Sequence, residues 1–179
     1  RNKRRDNNFE FGTNPCSEII LRPFQFCNLS EVVVRADDTD ETLLDKVEAA
    51  TILGTMQATL TSFKYLRRQW KDTTEKERLL GVSLTGIMDH QILAGDIHNI
   101  TRLTKLLDEM KQKAVEVNKM WAKRFGINQA TAITCVKPSG TVSQLVNAAS
   151  GIHARHNEHY IRRVRGDKKD PLTQFLQSQ

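Results

Sequence analysis

The chain has 179 residues, enough for one domain with a sizeable core, and its 39% apolar and 27% charged residues are typical of a globular protein rather than a disordered one. No apolar run approaches the roughly 20 residues that a membrane span needs, and the initial segment RNKRRDNNFEFG lacks the apolar core of a signal peptide. Because the chain does not begin with Met, we expect it to be a piece of a longer protein.

Cysteine usage and charge restrict the compartment and the partners. Three cysteines, an odd number, do not indicate a secreted disulfide framework, so we predict a reducing, cytoplasmic environment. The net charge of +6 is concentrated in RNKRR and YIRRVRGDKK, which is compatible with phosphates or nucleic acid as ligands. A solvated charged surface explains the same runs, and a basic nucleic-acid-binding module stays open as an alternative.

The first third of the chain changes from an extended to a helical pattern. Residues 1–10 form a polar lead-in, and the apolar runs interrupted by Pro15 and Pro23 predict loops and then a short strand near residues 32–34. Asp40 is a plausible N-cap for a long helix. Apolar residues recur at near-helical spacing as far as Phe63, and basic residues follow, so we predict one continuous helix packed on more than one side.

The remaining elements alternate. The segment RLLGVSLTGIMDHQIL predicts a short strand in which Gly81 and Gly86 allow close backbone approach. NITRLTKLLDEMKQKAVEVNKMWAKRF predicts an amphipathic helix that ends at Gly126. ATAITCV predicts a buried strand, and KPSGTVSQL predicts a turn that leads into a helix. Strands alternating with helices favour an α/β fold.

Asn14, Cys16 and Glu18 form the first candidate site. In an extended segment alternate side chains point to one face, so these three are predicted to line up. Glu18 could act as a base, Asn14 could orient a hydroxyl, and Cys16 could be oxidised or act as a nucleophile. The alternative is that Cys16 is a small buried side chain beside an ion-paired Glu18.

The other two cysteines are less specific. Cys27 follows Cys16 by eleven residues, so the two could form a disulfide, a redox pair or part of a zinc site, although zinc usually has its cysteines two to four residues apart. Cys135 lies in an apolar run and is most simply a core residue.

Two downstream segments could bind ligands. In VKPSGTVSQL, small residues precede a helix whose free N–H groups suit a phosphate, although the pattern is not a Walker A loop. His153, His156 and His159 are three residues apart, so on a helix they would share one face and could bind a metal, whereas surface histidines are the simpler interpretation. We therefore predict no metal ligand among the candidate site residues.

The motifs together are more specific than any one of them. NPCSEI, QFCNL, LLGVSLTGIMD, VKPSGTVSQL, SGIH, IRRVR and DPL occur in that order. This order, over residues 11–173, resembles the adenosylcobalamin-dependent (class II) ribonucleotide reductases, and most closely those that reduce ribonucleoside triphosphates. The eleven-residue step between the cysteines is similar to class II rather than to the wider step of class I large subunits.

The resemblance implies a role for each matching residue. Cys16 matches the cysteine that becomes a thiyl radical and removes hydrogen from C3′ of the ribose, Glu18 the base for the 3′-hydroxyl, and Asn14 the amide that holds the reacting hydroxyls. Cys27 matches one half of the redox-active disulfide, whose partner lies outside this chain. The matching substrate-phosphate site consists of Ser139, Gly140, Thr141, Val142 and Ser143.

The resemblance also implies a fold, a cofactor and partners. The whole of residues 1–179 would be a fragment of the catalytic α/β barrel of the ribonucleotide reductase and glycyl-radical type, with the cysteines on an internal loop. Adenosylcobalamin would be the cofactor, with most contacts outside this fragment. The partners would be a ribonucleoside triphosphate, thioredoxin or a similar dithiol, and nucleotide effectors, with no membrane and no stable nucleic-acid complex. A class I large subunit, an enzyme acting on diphosphates and a catalytically empty structural half stay open.

Overall fold

A computed structural model describes residues 4–95 and 97–179 of the chain. In chain order the strands and helices are β1 (Gly12–Thr13), β2 (Ile20–Leu21), β3 (Asn28–Val33), α1 (Asp40–Gln57), α2 (Arg68–Glu77), β4 (Leu80–Thr85), α3 (Ile100–Phe125), α4 (Thr141–Leu145) and α5 (Pro171–Gln177). Arg1 and Lys3 of the N-terminal basic run lie outside the described residues. No helix within the described ranges is long and apolar enough to cross a bilayer.

The centre of the fold is a short parallel sheet. β3 pairs with β4 in parallel over six residues, from Asn28 beside Leu80 to Val33 beside Thr85. Residues 132–135 run along the other side of β4, where Thr134 bridges to Val82 and backbone hydrogen bonds join Leu80 to Ala132 and Cys135 to Val82. The predicted mixed α/β character is therefore confirmed, although 132–135 form a bridge rather than a full strand.

Two helices cover this sheet. α1 and α3 pack on each other, and α1 also contacts β3 and β4. The core cluster between them takes in Val32, Val34, Leu43, Val47, Leu80, Val82, Leu106, Met110 and Ala114. α1 begins at a capping box, in which Thr39 and Thr42 exchange side-chain-to-backbone hydrogen bonds, and α3 ends at Gly126 with φ +66°, a left-handed conformation that glycine adopts without strain.

The prediction of one long helix after Asp40 is wrong. The chain leaves the helix at Gln57 and a second helix, α2, starts only at Arg68. The apolar residue Leu60 continues the period, but it is 72% exposed in the connecting loop and packs against no core. Phe63 instead contacts the ring of Phe26, with centroids 5.1 Å apart, so the period here reflects a loop contact and not a helix face.

A buried ion cluster ties the N-terminal segment to the body. The Glu77 carboxylate, at the end of α2, accepts bonds from Arg5 Nε at 2.9 Å and from Gln25 Nε2 at 2.6 Å. Arg22 completes the cluster with a nitrogen 2.9 Å from Glu77 Oε1. Since the Arg5, Arg22 and Glu77 side chains are each less than a tenth exposed, this cluster fixes residues 5–25 against α2.

Candidate functional site

The segment that carries Cys16 is a tight turn between two short strands. β1 and β2 pair antiparallel, and between them the Ser17 N–H donates to the Asn14 carbonyl at 2.9 Å. Ser17 has φ +62°, so the backbone is not extended here. The expectation that Asn14, Cys16 and Glu18 line up by strand alternation is therefore wrong. Asn14 stabilises the turn instead, with Oδ1 accepting from the Ile19 N–H at 3.0 Å, and Cys16 is exposed on it.

Glu18 is the buried acid of the site. Its side chain is 5% exposed, and Oε1 accepts a hydrogen bond from Lys137 Nζ at 2.5 Å. Oε2 is buried and has no hydrogen-bond partner in the part of the chain that the structure describes. Burial alone would raise the pKa of Glu18, but the hydrogen bond from Lys137, with weaker polar interactions from its own backbone and from Asn14, outweighs this and lowers that pKa from its ordinary value. Glu18 is thus an ionised carboxylate with one unused oxygen.

A cavity of about 370 Å³ lies beside this carboxylate. Its lining includes Glu18, Cys135, Thr134, Leu80, Phe11 and Arg5. Mostly apolar walls with a few polar groups are typical of small-molecule sites, and the volume lies within their usual range.

Cys27 and Cys135 converge over Gly81. A Cβ placed on Gly81 would lie 3.2 Å from each of the two sulfur atoms, so the sulfurs are no farther apart than twice that distance. Burial, together with the neighbouring Cys135, raises the pKa of Cys27 to about 12. Burial and the nearby Glu18 raise the pKa of Cys135 to about 11. Both groups therefore stay protonated thiols at neutral pH.

The backbone keeps these two thiols from bonding to each other. Asn28, next to Cys27, bonds to Leu79 on one side of β4, whereas Cys135 bonds to Val82 on the other side. Strands two apart in a sheet are separated by about 9–10 Å, and a disulfide spans at most about 7 Å between Cα atoms. All three cysteines are free.

The predicted phosphate-binding turn precedes α4. Ser139 is buried, and its hydroxyl donates to Glu31 Oε2 at 3.0 Å. The Ser143 hydroxyl donates to the Ser139 carbonyl at 2.6 Å. Gly140, Thr141 and Val142 are exposed, and α4 starts at Thr141 with Gly140 as N-cap. The two serine hydroxyls thus shape the turn, while the residues at the helix start are exposed to solvent.

The histidine and basic segments do not form a site. His153, His156 and His159 lie on an exposed stretch, residues 152–165, that contains no helix, so the shared helical face expected for them is wrong. No group of three or more His, Cys, Asp or Glu side chains in the described ranges could hold a metal ion. The described residues therefore offer a pocket for a small ligand.

Several residues of this site were missed by sequence reasoning. Lys137 and Glu31 carry no motif of their own for an ion pair or for support of the turn. Of these, only Lys137 could have been found from the sequence, because it is a charged residue directly before the predicted phosphate turn. The interpretation of Cys135 as a core residue omitted its position in the wall of the cavity beside Glu18.

Comparison with known proteins shows which proteins this chain is similar to. No family model matches the chain. The adenosylcobalamin-dependent ribonucleoside-triphosphate reductase of Lactobacillus leichmannii is 27% identical over 93% of this chain, and a probable enzyme of the same description from Dictyostelium discoideum is 32% identical over 90%. A crystal structure of B12-dependent (class II) ribonucleotide reductase superposes on 79% of the chain with 27% identity and a TM-score of 0.66. The chain is homologous to class II ribonucleotide reductases.

The chain spans a minor part of these class II ribonucleotide reductases. It covers 25% of the length of the L. leichmannii enzyme and 20% of the D. discoideum protein. Its match to the crystallised class II reductase takes in 22% of that chain. The resemblance predicted from the ordered motifs is thus confirmed for the part of the reductase that this chain covers.

Proposed function

We propose that this chain forms part of the catalytic region of an adenosylcobalamin-dependent ribonucleotide reductase that converts ribonucleoside triphosphates to 2′-deoxyribonucleotides. The observation that carries the proposal is the buried, ionised Glu18 with one unpartnered carboxylate oxygen beside a cavity that also holds Cys135. A buried carboxylate oxygen without a partner is costly unless a ligand hydroxyl completes it.

In the proposed reaction, Cys16 as a thiyl radical removes the hydrogen atom from C3′ of the ribose. Glu18 Oε2 takes the proton of the 3′-hydroxyl, and Asn14 orients the hydroxyls. The negative charge that this leaves on the sugar radical helps the 2′-hydroxyl to leave as water, with the required proton supplied by the Cys27 thiol. The exposed position of Cys16 on its turn supports this role, because the sulfur of a hydrogen-abstracting thiol must reach the substrate rather than the core.

The electrons come from a dithiol. Two thiols lose two hydrogens and become a disulfide, while the ribonucleotide loses its 2′ oxygen as water. Cys27 is the proposed first thiol, and its raised pKa keeps it protonated. Because β4 separates the Cys27 and Cys135 backbones, we assign the second thiol to a segment outside this chain, as the family resemblance implies.

The substrate phosphates are assigned to the turn before α4. Gly140, Thr141, Val142 and the flanking Ser139 and Ser143 would present backbone N–H groups to them. The hydrogen bond from Ser139 to Glu31 supports a fixed geometry for this turn.

The whole protein would complete this arrangement. Residues 1–179 would form one part of a catalytic α/β barrel whose other strands lie in further segments, with the cysteine turn inside it. Most contacts with adenosylcobalamin would lie outside this fragment, as the family resemblance implies, and the chemistry of this chain would begin at Cys16. Thioredoxin or a similar dithiol would regenerate the redox-active cysteines, and nucleotide effectors would bind elsewhere. Three free thiols support a reducing cytoplasm.

The test is Cys16→Ser in the full-length protein, assayed with adenosylcobalamin, a ribonucleoside triphosphate and a dithiol. We expect deoxynucleotide formation to be lost, because serine forms no comparable radical, while nucleotide binding measured by calorimetry persists. Unchanged turnover would contradict the radical assignment. A requirement for oxygen and a separate di-iron subunit in place of adenosylcobalamin would indicate a class I enzyme instead.

A further inference from the structure

The reactive turn and the phosphate turn are joined by one side chain. The backbone N–H of Lys137 donates to Ser83 Oγ of β4 at 2.8 Å, which anchors Lys137 on the sheet. Its ammonium reaches across to Glu18 Oε1 at 2.5 Å, and the two residues are 119 positions apart. Two residues farther on, Ser139 begins the turn that is held by Glu31.

We propose that Lys137 is a positioning residue that holds Glu18 ionised in the wall of the cavity and leaves its other oxygen, Oε2, free of hydrogen bonds. This inference rests on the proposed function, because it deepens the role of Glu18 as the base. No motif or comparison assigns a role to Lys137.

The geometry separates this ion pair from an ordinary surface pair. The Glu18 side chain is 5% exposed and that of Lys137 26%, so the pair is largely shielded from solvent screening. Lys137 occupies Oε1 and leaves Oε2 buried without a partner among the described residues. A pair formed only for stability has no need to leave a carboxylate oxygen unsatisfied inside the protein.

The charges around Glu18 agree with this role. Besides Lys137, it faces Cys27 and Cys135, which its charge helps to keep protonated. The Arg5 guanidinium lines the same cavity but is paired with Glu77. Lys137 is thus the cation directly bonded to Glu18. Without it, burial would raise the pKa of Glu18, and a larger fraction of the acid would be protonated and unable to accept a proton.

The decisive experiment follows the titration of Glu18 by carbon-13 NMR of glutamate-labelled protein, with the signal assigned through Glu18→Gln. In Lys137→Met, which keeps side-chain length but removes the charge, we expect the titration midpoint of Glu18 to rise by about one to three pH units. Lys137→Arg should retain a midpoint close to that of the native protein. An unchanged midpoint in Lys137→Met would overturn the proposal.

Lys46→Met is the matched control. Lys46 forms a similar ion pair with Asp38 at 2.6 Å, away from the cavity lining. Its replacement should leave the Glu18 midpoint in place. Circular dichroism and thermal unfolding of all three lysine variants show whether each is folded, and Lys137→Gln, which also removes the charge, replaces Lys137→Met if that variant does not fold.

A kinetic arm distinguishes positioning from mere support. In the full-length enzyme, Lys137→Met should move the acidic limb of the kcat/KM profile to higher pH and restore part of the activity in alkali, and Lys137→Arg should not move it. An equal loss at every pH would indicate a structural role and contradict the proposal. Because the NMR arm needs no turnover, a protein without reductase activity would refute the proposed function while the titration still decides the role of Lys137.

Discussion

Gly81 shows how one missing side chain shapes the site. A Cβ at this position would lie 2.4 Å from Leu29 Cδ2 and 3.2 Å from the sulfurs of Cys27 and Cys135. The end of Leu29 could move aside because that residue is partly exposed, but two half-buried thiols packed over a sheet have little room. The sequence indicated close backbone approach here, yet the identity of the neighbours depends on strand pairing, which no local pattern contains.

We expect Gly81→Ala to lower the free energy of unfolding by about 1–3 kcal/mol, because an added methyl overpacks this contact. Urea unfolding monitored by circular dichroism measures the change. Gly12→Ala is the control, since no heavy atom lies within 4 Å of the point that its added Cβ would occupy and that variant should be close to neutral. Equal stability of the two variants would show that the sulfurs do not pack over Gly81.

At the scale of elements, the period of apolar residues predicted the helices and the strand that pack into the core. The start of α1 near Asp40, the whole of α3 and β4 follow from apolar spacing and end signals, and the structure confirms them, although the N-cap of α1 is Thr39 and not the predicted Asp40. The same rule failed where Leu60 and Phe63 kept the period without a surface to cover. It failed again at Asn14–Glu18, where Pro15 and the positive φ of Ser17 replace strand alternation by a turn.

Asn118 connects α3 with α1 and with the segment that follows α3. It lies buried in α3, donates to Thr55 Oγ1 of α1 at 3.1 Å and accepts from the Ala130 N–H at 2.9 Å. Ala130 leads into the segment that carries Lys137. The position of that segment thus depends on an amide which sequence analysis did not single out.

We expect Asn118→Ala to cost about 1–3 kcal/mol of unfolding free energy, because it leaves the buried Ala130 N–H without its acceptor. Native-state hydrogen exchange should show faster exchange at Ala130. Lys119→Ala, at the neighbouring exposed position, should change neither quantity appreciably. Unchanged protection of Ala130 in Asn118→Ala would mean that another acceptor holds this N–H.

At the scale of the whole molecule, the Glu77 cluster joins the N-terminal segment to α2. Burial would raise the pKa of Glu77, but hydrogen bonds from Arg5 and Gln25 and the charges of Arg5 and Arg22 lower it below 4.5. A carboxylate whose folded pKa lies below its unfolded value stabilises the fold at pH above that unfolded value. This contribution is lost as the pH falls through the folded pKa.

Stability should therefore fall in acid, and Glu77→Gln should remove much of that dependence. At neutral pH, Glu77→Gln should cost about 3–5 kcal/mol, because two buried guanidinium groups lose their counter-charge. Urea unfolding from about pH 7 down to about pH 3 tests both statements. An equally steep acid dependence in Glu77→Gln would assign it to other carboxylates.

The pairing of β3 with β4 has a dynamic consequence for the chemistry. Cys27 and Cys135 are placed by ladder hydrogen bonds of a buried sheet, which open far less often than an exposed turn. Cys16 lies on such a turn. In the proposed reaction we therefore expect the sheet to stay fixed while the turn between β1 and β2 moves to bring Cys16 to the substrate.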